Sequence, residues 1–185
     1  MNFVMEILIT VGYLLCLSFI FLFSLGQLHL SWHYLKRLKE SKPAPLPAPV
    51  SWPAVTVQLP IYNEKYVIDR LIQAVASLDY PRELLEIQVL DDSTDETVAL
   101  IASQVKHFQQ EGINIQHIRR PERKGFKAGA LAYGLKKAQG EFVAIFDADF
   151  LPSADFLKKT IPHFYTNEKT GVVQTRWGHV NKDYS

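Results

Sequence analysis

The sequence predicts an α/β fold: a mostly parallel sheet with flanking helices, preceded by one N-terminal transmembrane helix. Three observations predict it. The stretch from Met1 to about Leu30 is almost wholly apolar, with no charge between Ile7 and Leu25. From Val55 on, short apolar or β-branched runs alternate with helical patterns, which is how βαβ units read. Finally, the run Val143-Ala144-Ile145-Phe146 stops at Asp147-Ala148-Asp149. A strand covered on both faces is such a run, and carboxylates at its C-terminal end lie where open α/β sheets bind ligands.

Composition narrows the function classes. The chain has 185 residues and a formal charge of +1, so it lacks the basic surplus of a nucleic-acid binder. Apolar residues make up 48% but crowd into the N-terminal stretch; the remainder has the balance of one soluble domain. Cys16 is the only cysteine, which excludes a disulfide framework and a cysteine-rich zinc site.

Taken in order, the apolar stretch comes first. A helix needs about 20 apolar residues to cross the hydrocarbon core. A signal peptide would want a positive n-region and a shorter core. Here Glu6 is the only charge before the core, and Lys36, Arg37 and Lys39 follow it. Trp32 and Tyr34 stand where an interfacial aromatic belt would lie, and the basic cluster predicts that everything downstream is cytoplasmic. His29 and His33, one helical turn apart, read as interfacial polar residues rather than metal ligands. Alternating prolines (Pro43, Pro45, Pro47, Pro49, Pro53) make an extended spacer. The expected domains are an anchor with its flank over 1–35, a basic and proline-rich linker over 36–53, and a soluble domain over 54–185.

The soluble part opens with a strand over Val55–Leu59, whose ladder Pro60 should end for want of an N–H. A helix over Lys65–Ser77 carries Val67, Ile68, Leu71, Ile72 and Val75 on one stripe. Leu85–Leu90 is the second strand and runs into Asp91-Asp92-Ser93-Thr94-Asp95. Ser93 and Glu96 have capping-box spacing for a helix reaching Gln110. Gly112 stops it, and Ile113–Ile118 is the third strand. The basic loop Arg119–Lys124 leads into a small-residue helix over Phe126–Ala138, closed by Gly140. Glu141–Phe146 is the fourth strand. A helix from Ser153 or Asp155 toward Tyr165 should kink or end at Pro162, and Val172–Trp177 reads as one more strand.

Three clusters then sit at the ends of successive strands: Asp91-Asp92, the loop Arg119–Lys127, and Asp147 with Asp149. In a parallel sheet those ends share one rim, so they converge. In an extended segment Asp147 and Asp149 would face one point, and two hard oxygens suit Mg²⁺ or Mn²⁺ carrying a diphosphate. One of Asp91 and Asp92 would accept a hydrogen bond from a base or ribose; turn and cap chemistry alone explains Ser93 but not two adjacent acids. Arg123-Lys124-Gly125-Phe126-Lys127-Ala128-Gly129 pairs basic side chains with glycines that permit close backbone approach, ahead of a helix N-terminus that attracts anions. It is not a P-loop, because the G-K-[ST] ending is absent.

Together these stretches resemble the family 2 glycosyltransferases, which carry the Rossmann-like GT-A fold and bind nucleotide sugars. The likeness is nearest to the membrane-embedded cellulose synthase and β-mannan synthase-like branch and runs from about Ala54 onward. It rests on LPIYNE (Leu59–Glu64), DDSTD (Asp91–Asp95), RKGFKAGAL (Arg123–Leu131), FDADF (Phe146–Phe150) and VQTRWGHVN (Val173–Asn181), five stretches in order at family-like spacing. By position the resemblance implies that Tyr62 and Glu64 line the nucleoside pocket, with Pro60 beside them in the nucleotide-sugar site. Asp91 or Asp92, with Asp92 favoured, would hold the base, and Lys127 the diphosphate. Asp147 and Asp149 would be the D-x-D pair holding Mg²⁺ or Mn²⁺.

The implied activity is inverting transfer from a UDP- or GDP-sugar to a growing β-glycan, at the plasma (inner) membrane with the catalytic domain cytoplasmic. The family's general base and its Q-x-x-R-W acceptor motif are expected downstream of Ser185. Gln174-Thr175-Arg176-Trp177 has one residue too few between Gln and Arg. The 185 residues therefore read as a donor-binding fragment that does not turn over. Rival readings are transfer to a lipid acceptor on the same fold, and a non-catalytic nucleotide-binding membrane scaffold. A phosphatase-type metal site would need more ligands than the Asp pair.

Overall fold

The computed structural model describes residues 3–39, 46, 49–176 and 178. It divides into two compact units, Met1–Pro45 and Leu46–Ser185. The linker residues Pro43, Pro45 and Pro47 lie outside the described residues, as do Trp177 and everything from His179 on.

The first unit is one helix, α1 (Phe3–Lys39), 37 residues long and apolar on every face up to its basic end. At the helical rise that is about 55 Å, more than the roughly 30 Å of a hydrocarbon core. Three of its hydroxyls are satisfied within the helix. The hydroxyls of Thr10, Ser18 and Ser24 each donate to the carbonyl one turn back, at 2.8 Å. By length and composition α1 is able to cross a membrane.

The second unit is a four-stranded parallel sheet: β1 (Val55–Ile61), β2 (Leu85–Asp91), β3 (Ile115–Arg119) and β4 (Phe142–Ile145), in spatial order β3-β2-β1-β4. Strand alternation gives the sheet two different faces. Val55, Val57 and Leu59 with Ile87 and Val89 form one core with α2 (Ile68–Ala76) and α3 (Thr97–Gln110), which contribute Leu71, Ile72, Ile101 and Val105. The other face is polar and buried. Thr56 donates to Glu86 at 2.6 Å, Gln88 to Glu86 at 3.2 Å, and Gln58 to Gln88 at 3.0 Å. The small-residue helix α4 (Phe126–Leu135) rests there through Ala130 and Gly134. Beyond it Gly140 passes so close to β1 that an added Cβ would stand 2.3 Å from the Thr56 nitrogen.

Several sequence expectations need correction. Pro60 does not end β1, which runs to Ile61 and keeps Pro60 opposite Leu90 of β2. Gln58 accepts from the Phe146 amide, so alternate residues of β1 face β4, and the missing N–H of Pro60 points to the side where β4 pairing has already stopped. Ser93 and Glu96 form no capping box. Glu96 caps without a side-chain hydrogen bond, and Asp95 instead accepts from the Thr97 amide at 3.0 Å. The second helix begins at Ile68, after a turn in which the Glu64 carbonyl accepts from Val67 and Ile68. Pro162 splits the late helix into α5 (Phe156–Thr160) and a 3₁₀ turn over Ile161–Tyr165. Residues 172–176 form no strand. Among the described residues β4 is an edge strand, not covered on both faces, with Val143 and Ile145 exposed beside an apolar groove of about 440 Å³.

Candidate functional site

The C-terminal ends of β1, β2 and β4 and the start of α4 enclose a cleft of about 470 Å³. Pro60, Tyr62, Glu64, Asp92, Lys127, Asp147 and Asp149 all line it. The parallel register explains the convergence: Ile61 lies opposite Asp91, and Asp91 opposite Arg119, so the strands end level and their loops meet.

The adjacent acids divide their work. Asp91 does not line the cleft. It is buried and accepts from the Ser93 amide and from His117 Nε2, each at 2.8 Å, with Arg119 Nε at 3.4 Å. Burial alone would push its pKa up, but the hydrogen bonds from His117 and Ser93 outweigh it and hold the carboxyl below its ordinary range. Asp92 faces the other way, into the cleft wall. There Arg120 takes both of its oxygens, through Nε at 2.7 Å and Nη2 at 2.5 Å.

Two residues in or next to the cleft were read in the sequence only as members of a longer stretch. The Arg123 guanidinium lies 3.4 Å from the Tyr62 ring centroid and lines the cleft. Asn63 holds a left-handed φ of 57°, which its short polar side chain tolerates. It stitches the first two loops together: its amide donates to Ser93 Oγ and its side-chain oxygen accepts from the Thr94 amide, each at 2.9 Å. Ser93 is thus spent on the neighbouring loop rather than on a helix cap. Neither contact has a local signal, because the partners come from different βα units.

On the far wall Lys127 makes an ion pair with Asp147. A turn closed by the Phe150 amide on the Asp147 carbonyl, at 3.0 Å, replaces the extended i, i+2 geometry. Asp147 and Asp149 nevertheless both line the cleft, and Asp149 is exposed with no partner among the described residues. Two carboxylates suit a magnesium-like ion, which takes one or two from protein and fills its shell with water and phosphate oxygens. No group of three or more His, Cys, Asp or Glu gathers among the described residues, so the chemistry fits a cation arriving with a diphosphate rather than a closed protein cage. An acidic pair, a lysine and an aromatic–guanidinium stack on one rim can bind an aromatic base, a ribose and a diphosphate in a row.

A parallel sheet with flanking helices is GT-A-like, and the comparisons agree on fold and family. Residues 56–185 match the model of Glycosyl transferase family 2, and the chain belongs to that family. It is 49% identical, over 72% of its own length, to a probable glucomannan 4-β-mannosyltransferase of rice, Oryza sativa subsp. japonica, and spans 25% of that relative. Among solved structures it superposes on the mannosyltransferase PcManGT of Pyrobaculum calidifontis, in complex with GDP-mannose and Mn²⁺, with a TM-score of 0.62. Identity there is 33%, covering 74% of this chain and 39% of that one. A second match is S. aureus TarS 1-349 in complex with UDP-GlcNAc: TM-score 0.53, 25% identity, 65% and 37% covered.

Proposed function

We propose that this chain is the donor-binding part of a membrane-anchored, inverting glycosyltransferase that uses a nucleoside-diphosphate sugar and Mg²⁺ or Mn²⁺. The observation that carries the proposal is the gathering of Asp92, Lys127, Asp147 and Asp149 on one cleft from three separate βα units. The names of the rice and Pyrobaculum proteins favour GDP-mannose over a UDP-sugar, and a β-linked mannose-containing glycan as product.

In this reading Tyr62 and Arg123 flank the base and Glu64 lies beside the nucleoside. Lys127 trades its partner Asp147 for the diphosphate, whose charge it then offsets. A divalent cation on Asp147 and Asp149 would supply Lewis-acid stabilisation of the departing nucleotide. The acceptor's general base is assigned to sequence beyond the matched quarter of the rice relative. In this reading residues 1–35 are the anchor and 36–53 the linker, and the basic residues after the apolar stretch favour a cytoplasmic domain, with the plasma (inner) membrane as the proposed location.

Calorimetry with GDP-mannose and UDP-glucose, with and without Mn²⁺, tests the reading. Binding should require Mn²⁺ and favour the GDP donor, and Asp149→Ala should remove the Mn²⁺-dependent part, a loss of roughly tenfold or more. Unchanged Mn²⁺-dependent affinity in Asp149→Ala would count against the metal assignment. Failure of wild-type protein to bind either donor would end the proposal.

A further inference from the structure

The two ends of the cleft are tied together by a side chain that does not line it. Arg120 follows β3, and its side chain is only 8% exposed. Besides both oxygens of Asp92, its guanidinium reaches two backbone carbonyls: Nη1 donates to Lys124 at 2.6 Å and Nη2 to Phe126 at 2.8 Å. Those carbonyls bracket two successive left-handed residues, Gly125 at φ 74° and Phe126 at φ 47°. Glycine accepts that conformation freely; phenylalanine does not, so something outside the turn must hold it. The helix itself leaves no slack. A Cβ on Gly129 would stand 2.0 Å from the Lys124 carbonyl oxygen and 2.5 Å from Arg120 Nη1. Lys127 is the next residue after the strained pair.

We propose that Arg120 is a positioning residue of the donor site. It holds the Gly125–Phe126 turn in its left-handed form, which sets Lys127 where a diphosphate meets it, and it fixes the Asp92 carboxylate at the nucleoside end. This inference rests on the donor-binding reading above. Lysine cannot replace it, because an ammonium lacks the planar fork that engages a carboxylate and two carbonyls at once. The ordinary alternative is an ion pair that only contributes stability.

The test uses the full chain purified in detergent, with GDP and guanosine as probes in the presence of Mn²⁺ and UDP with uridine alongside. Wild type, Arg120→Lys, Lys127→Ala and the double variant are titrated, with melting curves to show that each is folded. Arg120→Lys should weaken the diphosphate by about tenfold or more, the scale of a hydrogen bond to a charged group. It should weaken the free nucleoside several-fold less. In the double variant the two losses should not add, because Arg120 acts on phosphate through Lys127. Gly129→Ala provides a second route if Arg120→Lys does not fold: its Cβ crowds both the Lys124 carbonyl and Arg120 Nη1, so it disturbs the contact between Arg120 and the turn while the guanidinium itself is retained, and should also cost the diphosphate more than the nucleoside. Equal losses for diphosphate and nucleoside, full additivity with Lys127→Ala, or a folded Gly129→Ala with wild-type affinity would each overturn the proposal while donor binding stands. A wild type that binds no nucleotide would instead remove the reading beneath it.

Discussion

Asp91 and Asp92 are neighbours in sequence with opposite surroundings, and the difference has a measurable consequence. The folded state holds the Asp91 carboxyl below its ordinary 3.8. The stability this lends is therefore complete above pH 3.8 and fades as the pH falls through the lowered value. Asp91→Asn should cost about 1–3 kcal/mol at pH 7, since it loses a charged acceptor inside the protein. The difference from wild type should shrink in acid, which urea unfolding at pH 7 and pH 3 would show. Of the residues named from the sequence, Asp147 and Asp149 stood at the end of an apolar run, Lys127 in a basic loop, and Pro60, Tyr62, Glu64 and the choice of Asp92 over Asp91 came from the family resemblance; all of these line the cleft. Arg120 and Arg123 were legible only as part of the basic loop Arg119–Lys127, and Asn63 only as part of LPIYNE, because their partners Asp92, Tyr62 and Ser93 come from other βα units. Arg120 read as one charge of a basic loop, and only the fold turns it inward onto Asp92.

At the scale of elements, the polar face of the sheet is the unexpected feature. Thr56, Gln58, Glu86 and Gln88 are buried, so the sequence alternation here separates two interiors rather than an interior from water. They are satisfied by one another and by the chain leaving α4: Glu86 accepts from the Gln139 amide and Thr56 from the Gly140 amide, each at 2.9 Å. Close approach at Gly140 is the condition for that arrangement. Gly140→Ala should destabilise by about 1–3 kcal/mol, the range for overpacking, because the clash is with β1 backbone that cannot rotate away. A melting temperature equal to wild type would show that the chain approaches β1 less closely. The four strands were visible as short apolar or β-branched runs, but the end of β4 and the absence of a strand over the described residues 172–176 were not. Short apolar runs carry no mark of whether a partner strand lies beside them.

For the whole molecule, the proposed cytoplasmic orientation of the soluble domain is open to a labelling test. Tyr66 is 85% exposed and free of the cleft lining. A cysteine put there should react with a membrane-impermeant maleimide in inside-out vesicles and resist it in right-side-out ones. The opposite pattern would reverse the orientation drawn from Lys36 and Arg37. The native Cys16, inside the apolar stretch, should stay unlabelled in both.

One atom that is missing from Pro60 shapes the mouth of the cleft. After the Phe146 amide reaches Gln58, the following rung on that side would need a hydrogen on the Pro60 nitrogen, and proline carries none. The zipper between β1 and β4 halts there, while on the β2 side it continues to Ile61. Chain that can no longer pair must veer off, and it does so at Asp147. The seam between β1 and β4 thus has no donor with which to continue past Phe146, and the carboxylates that follow line an opening in place of a ladder.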